Sequence, residues 1–300
     1  MALRVWQKTL YAVILVGLGL ALVFFRGGYL NIFIFSALIN AVMAVSYDIP
    51  GRSLGLISLG HATFFGLGAY IFGICVTKGL AFFPALILTG MISIPGALML
   101  AIPLTRLNHG YFSLATLGVL FIFQRFSESL EGLTGGPAGL YIPEIISVSQ
   151  CSFLALLLLI LTTLVYGLYA GSRWGLYAIE TEADREAAES IGIPTHIVKV
   201  VAFTAAALPA ALAGALYLAR TSHISLTMSI TALLASRIVP LRGALGPLLG
   251  ALLITVAEEV IWTKFAGFNQ ALFGLILLAA AFYQGIDLTR IFPLKKKADL

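Results

Sequence analysis

Charge is what this chain has least of. Only 10% of its 300 residues are Asp, Glu, Lys or Arg, against about 25% in soluble domains. Hydrophobic residues make up 60%, and no soluble fold of this length can hide so much apolar surface. Cysteine is almost missing. Cys75 and Cys151 fall in or beside apolar runs, too few for a disulfide framework, and read as small packing residues. No His/Cys cluster has metal-ligand spacing, and the phosphate-loop pattern GxxxxGK[ST] is absent, so ATP is not bound through that motif. No acid–base pair or nucleophile constellation is present, so neither catalysis nor a cofactor is expected in this chain. No basic–aromatic groove appears, and the net charge of +5 needs no nucleic acid to explain it. Acids are also missing from the interiors of the apolar runs. An ion-coupled secondary transporter would need them, or unwound ion sites, at mid-membrane.

What remains is apolar runs. A spanning helix needs about 20 mostly apolar residues. Ten candidates stand out: 9–25, 29–48, 53–77, 81–103, 111–126, 151–170, 197–219, 226–241, 244–261 and 268–286. The fold class is all-α integral membrane, a single transmembrane domain over 1–300 with about ten helices. The count falls to eight or nine if 226–241, which contains Arg237 and Pro240, is re-entrant. The first run follows a basic flank, but Phe24, Phe25 and Arg26 occupy the place of a signal-peptidase site, so a retained span is expected. Placing both termini in the cytoplasm puts thirteen of the 18 Lys and Arg on that side, as the positive-inside rule requires. The basic tail FPLKKKADL suits the inner face of an anionic membrane.

One stretch breaks the pattern. Residues 181–194, TEADREAAESIGIP, carry five charges in a loop assigned to the cytoplasm. Thr181 is an N-cap candidate with Asp184 three residues on, and Gly192 followed by Pro194 fits a helix end. A helix of about ten residues is expected, about 15 Å long and too short to stand alone in water. Ala183, Ala187, Ala188 and Ile191 make a stripe of small side chains ringed by Glu182, Arg185, Glu186 and Glu189. Such a helix either packs on its own protein or fits a groove on another subunit.

EAAESIG resembles the EAA loop of bacterial ABC importer permeases, whose coupling helix rests on an ATPase subunit. Glu186, Ala187, Ala188 and Gly192 match that pattern. Residues 55–70 (GLISLGHATFFGLGAY), 109–117 (HGYFSLATL) and 134–140 (TGGPAGL) are together similar to branched-chain amino-acid permeases of the LivM type, over about Tyr29–Tyr283. The resemblance implies a multi-pass permease of the bacterial inner membrane. Its partners would be a homologous permease, as a heterodimer, two ATP-binding cassette subunits carrying ATP and Mg, an extracytoplasmic solute-binding protein, and membrane lipid. Urea, amide and some sugar permeases are relatives, so those solutes stay open. The implied contact with the ATPase runs over 181–192 through Ala183, Glu186, Ala187, Ala188, Glu189 and Gly192.

Three other groups of residues are read physically. Glycines at 51, 55, 60, 66, 68 and 73 let helix backbones approach closely in lipid. At Gly60 leucine should block that approach, and alanine should fit. His61 either lines the solute path or hydrogen-bonds across helices. Ser113 and Thr116, three apart on one face, are candidates for the path, and Thr134, Gly135 and Gly136 for an outer loop that meets a binding protein or simply turns. The chain departs from the family before Gly246, Pro247, Gly250 and Ala251. Val239, Pro240, Leu241, Arg242 and Gly243 stand there in place of a glycine-rich run, which puts the local bend and solute identity in doubt.

Overall fold

The computed structural model describes residues 29–136, 139–142, 145–221 and 243–264, with Gly17. Ten helices lie among them: α1 Tyr29–Ser53, α2 Ala62–Thr77, α3 Phe82–Leu104, α4 His109–Ser129, α5 Glu131–Thr134, α6 Val148–Gly171, α7 Arg173–Ala183, α8 Arg185–Ser190, α9 Thr195–Thr221 and α10 Leu245–Lys264. There is no strand among the described residues. The expected spans 9–25, 226–241 and 268–286, and Val239–Arg242, lie outside them. The residues up to Thr255 form one compact unit, and those from Val256 belong to a second.

Among the described residues, four segments are long and apolar enough to cross a membrane: Leu30–Ser53, Phe82–Leu104, Ser149–Gly171 and Thr195–Thr221. They coincide with expected spans to within a residue or two at their starts and extend them by a few residues. α4 and α10 likewise take in the runs 111–126 and 244–261 almost entirely.

The expected continuous span 53–77 is corrected. Only Ala62–Thr77 is helical, 16 residues or about 24 Å, short of the ~30 Å hydrocarbon core. Residues 54–61 enter it as an irregular strip. Gly55 holds φ +62, a conformation that favours glycine. Leu54 and Leu56 N–H both donate to the Pro50 carbonyl. The strip buries its polar backbone in protein, the condition under which non-helical chain survives at membrane depth.

α9 lies at the centre and packs on α1, α2, α3 and α6. Its face of Ala206, Ala207, Ala210, Ala211, Ala213 and Gly214 is buried. Small residues set the distance, because a Cβ at Gly68 would run into the Ala211 carbonyl and one at Gly214 into the Phe65 carbonyl. Helices that associate in lipid gain from this close approach.

Helix ends follow sequence chemistry. α2 stops in a Schellman motif: Leu80 N–H reaches the Cys75 carbonyl, Gly79 N–H the Val76 carbonyl, and Gly79 has φ +87, as such ends require. α6 starts from a full capping box formed by Ser147 and Gln150.

One inference about charge also changes. α1 runs to Ser53, so Asp48 lies within a helix instead of at its edge, and it is buried. Arg52 Nε stands 3.0 Å from its Oδ2, and the Tyr166 hydroxyl of α6 donates to that same oxygen at 3.2 Å. A buried carboxylate needs such partners. The signal was an acid four residues before an arginine at the end of an apolar run.

Candidate functional site

The charged stretch folds as two helices instead of one. α7 begins at Arg173 from an N-cap at Ser172, whose Oγ accepts from Trp174 N–H. Thr181 therefore lies inside a helix already under way. Its hydroxyl donates back to the Tyr177 carbonyl, so it is not the N-cap. The chain breaks at Asp184, with φ −157 and ψ 111. Asp184 Oδ1 accepts from Ala187 N–H at 3.1 Å and caps α8, which has six residues instead of about ten. The far end matches the expectation. Gly192 has φ +86, Ile193 N–H reaches the Ala188 carbonyl, and Gly192 N–H the Glu189 carbonyl, a second Schellman motif.

α8 is fastened to the first residue of α9. Glu189 Oε1 accepts from Arg185 Nε at 2.8 Å and from the Thr195 hydroxyl at 2.6 Å. The Thr195 bond first, then Arg185, hold the Glu189 carboxyl below the usual carboxylate range. Ala183, Glu186, Ala187, Glu189 and Gly192 are exposed, and Ile191 stands 73% exposed. Ala188 is the exception at 2%. It packs on its own chain, so of the six residues expected to meet a partner it alone is buried.

The stretch also reaches back to the glycine-rich motif. The Glu182 carboxylate lies against the Gly55 backbone, where any Cβ would collide with it. Gly55 lies near the start of the irregular strip 54–61, and Ser113 and Thr116 of α4 hold that strip. Ser113 Oγ donates to the Ile57 carbonyl at 2.7 Å, and Leu59 N–H donates to Thr116 Oγ1 at 3.1 Å. A Cβ at Gly60 would enter the Thr116 carbonyl, so alanine does not fit there, contrary to expectation.

His61 ends the strip. It is 1% exposed, with Nε2 3.0 Å from Ser46 Oγ. Ser46 gives its own proton to the Met43 carbonyl, which assigns the shared proton to Nε2. Tyr47 and Phe64 meet the ring edge-on. The three sequence candidates His61, Ser113 and Thr116 thus gather on one strip and spend their polar groups on holding it and its surroundings. His61→Ala is expected to lower stability by about 1–3 kcal/mol, seen as a reduced melting temperature in detergent. Wild-type stability with lost uptake would instead make His61 a path residue.

In the outer-loop group, Thr134 is buried and donates to the Leu130 carbonyl at 2.8 Å. Gly135 and Gly136 have φ +75 and +61. The Gly139 carbonyl occupies the place of a Gly135 Cβ, so the loop folds on itself. Gly243 is also left-handed, at φ +81.

Residues 29–281 match the family described as branched-chain amino acid transport system / permease component. The chain belongs to that family. It is 27% identical over 266 residues to the high-affinity branched-chain amino acid transport system permease protein LivM of Salmonella typhimurium and 26% to that of Escherichia coli K12, each covering 73% of this chain and 62% of the relative. It is 29% identical over 234 residues to the autoinducer 2 import system permease protein LsrC of Yersinia enterocolitica, covering 74% of this chain and 61% of that one. The chain therefore spans less than two thirds of the length of these permease relatives. No solved structure matches it significantly.

Proposed function

We propose that this chain is a permease subunit of an ATP-driven importer of the bacterial inner membrane, with branched-chain amino acids as its solute. A homologous permease shares the translocation path, two ATP-binding subunits supply energy, and an extracytoplasmic binding protein delivers the solute. The chain itself performs no covalent chemistry; ATP and Mg belong to the partners. Both termini and the loop 171–198 lie in the cytoplasm, and the loop 127–149 lies outside.

The observation that carries the reading is α8. It is a short helix capped at both ends and fastened to α9 through Glu189 and Thr195, with Ala187 exposed and Ile191 73% exposed. Leu176 and Ile179 of α7 are also open, at 61% and 53%. Exposed apolar side chains among charged ones are the mark of an interaction surface. Glu182 continues the connection to the strip 54–61. The reading requires only that the ATP state and the access state favour each other. The second reading, an importer for another solute such as urea, an amide or a sugar, is favoured by the relative named for autoinducer 2 import.

Purification from native membranes tests this reading. Two ATP-binding subunits and a second permease are expected to co-purify, and the binding protein's ligand names the solute. In sealed membrane vesicles, with Cys75 and Cys151 replaced by alanine, Ser190→Cys and Ser129→Cys should react with an impermeant thiol reagent from opposite sides. A chain that purifies alone and transports alone defeats the importer reading. Labelling from one side defeats the topology.

A further inference from the structure

Two cavities lie along the line where α3 packs on α9. The first is polar, about 80 Å³, and lined by Thr105, Arg106, Arg185, Thr195, His196 and Lys199. The second is an apolar groove of about 330 Å³ between α3, α6 and α9. We propose that together they bind one phospholipid, with its phosphate among Arg106, Arg185, Lys199 and His196 and an acyl chain in the groove.

The polar cavity has more cation than its surroundings satisfy. Arg185 gives its Nε to Glu189. Lys199 is only 5% exposed. Among the described residues neither the Lys199 nor the Arg106 side chain has a hydrogen bond or an ion pair. The nearest carboxylates are otherwise engaged, Glu189 by Arg185 and Thr195 and Glu182 against Gly55, and they act on Lys199 only through space. A buried charge such as Lys199 without a counter-ion is costly, and Arg106 and Arg185 reach the same cavity from exposed positions, so the cavity favours an anion. The first turn of α9 adds the positive end of its dipole. At about 80 Å³ the space is about half the ~150 Å³ of a cavity that holds benzene, so it suits a small oxyanion and not a large headgroup.

The groove decides what carries that anion. Its volume is about twice the ~150 Å³ of a dry cavity that holds benzene. On α9, His196 of the polar cavity is followed by Val200, Thr204, Leu208 and Leu212 of the groove, a ridge of every fourth residue that winds about the helix, and α3 follows that ridge from Thr105 beside His196 to Gly90 beside Leu208 and Leu212. On α3, Leu98 of the groove and Thr105 of the polar cavity are two turns apart on one face. A single ligand can therefore occupy both. The junction lies where two apolar helices end, α3 at Leu104 and α9 at Thr195, which is headgroup depth, and basic pockets between membrane helices at that depth hold lipid phosphates. Thr204 lines the groove with its Oγ1 buried and unpartnered among the described residues. It stands about 7.5 Å along the axis from Lys199, on the side where the glycerol esters of a lipid follow its phosphate. Because Arg185 belongs to α8, the bound phosphate also ties the connector to α3.

The test uses the full chain in detergent, incubated with dioleoylphosphatidylglycerol and read by native mass spectrometry. One bound lipid is expected. Arg106→Gln with Lys199→Gln should lower its apparent affinity about tenfold or more, since charge-assisted bonds are lost. Leu208→Trp should do the same by filling the groove while leaving every cation in place. A large excess of inorganic phosphate should not displace the lipid. Each variant must elute and melt as folded protein; Arg106→Gln alone, at an exposed position, serves if the double variant does not fold. Unchanged lipid occupancy in both the cation and the groove variants overturns the proposal. Displacement by inorganic phosphate, with a silent Leu208→Trp, makes the cavity a free-anion site and overturns it too. Loss of lipid on adding ATP-binding subunits would assign the cations to an acidic partner surface, a third overturning result.

Discussion

Gly214→Leu is expected to cut the yield of folded, monodisperse protein at least about tenfold, and Gly68→Leu to do the same. Overpacking a core usually costs about 1–3 kcal/mol, because side chains give way. Here the obstacle is backbone. The position of a Gly214 Cβ is already taken by the Phe65 carbonyl, and that of a Gly68 Cβ by the Ala211 carbonyl. Neither can yield unless α2 and α9 move apart, and α9 is the helix on which α1, α3 and α6 also pack. A shift there propagates through the bundle, and native stability is only about 5–15 kcal/mol. Gly118 of α4 is the control, with no atom within 4 Å of its Cβ position; Gly118→Leu should express and melt as wild type. The measurement is size-exclusion yield and melting temperature in detergent. Wild-type behaviour of Gly214→Leu would mean that α2 and α9 do not cross at these glycines.

The apolar runs were legible because hydropathy needs only composition over about 20 residues. The runs 29–48, 81–103, 111–126, 151–170, 197–219 and 244–261 all coincide with helices. Their ends were not legible to the residue. α1 continues through Pro50 and Arg52 because helix termination depends on hydrogen bonding, not on where grease stops. The break at 54–61 was hidden for a different reason. The strip is as apolar as its neighbours, and the groups that hold it, Ser113 and Thr116, lie more than fifty residues away. Gly214 was missed among alanines, where one more small residue makes no contrast.

The charged stretch shows how two correct local signals compete. Thr181 and Asp184 are both good N-cap residues. Asp184 wins because Ser172 starts α7 first, so that Thr181 is already helical when the chain reaches it. Gly192 had no rival, and its left-handed end appears as the sequence implied. Ala187 and Ala188 cannot be told apart by composition. Only the packing of α8 on its own chain decides that Ala188 turns inward and Ala187 outward.

That difference sets the last prediction. Ala187→Trp is expected to leave folding intact and to weaken coupling. The position is exposed in this chain, so a large ring meets no internal obstacle. If α8 seats against an ATP-binding subunit, the ring must be accommodated there, at about 1–3 kcal/mol for overpacking a tight contact; at 1.4 kcal/mol per tenfold, association should weaken about fivefold to more than a hundredfold. Ala188→Trp should behave in the opposite way. That side chain is buried within the chain, so the fold around α8 should fail before docking is in question. Gly192→Val separates shape from contact. It forces a β-branched residue to φ +86, where only glycine is at ease, and so misdirects the exit from α8 toward α9 while adding nothing to the docking face. Glu186→Lys tests charge. If the exposed Glu186 meets a basic group on the partner, association should fall, and added salt should narrow its difference from wild type. Each variant is compared for membrane insertion, co-purification of the ATP-binding subunit and solute uptake in vesicles. Normal insertion with reduced co-purification for Ala187→Trp, alongside normal insertion with lost uptake for Gly192→Val, is the expected pair. Full ATPase association and full uptake in both would reduce α8 to a connector and remove the main support for an ATP-driven importer.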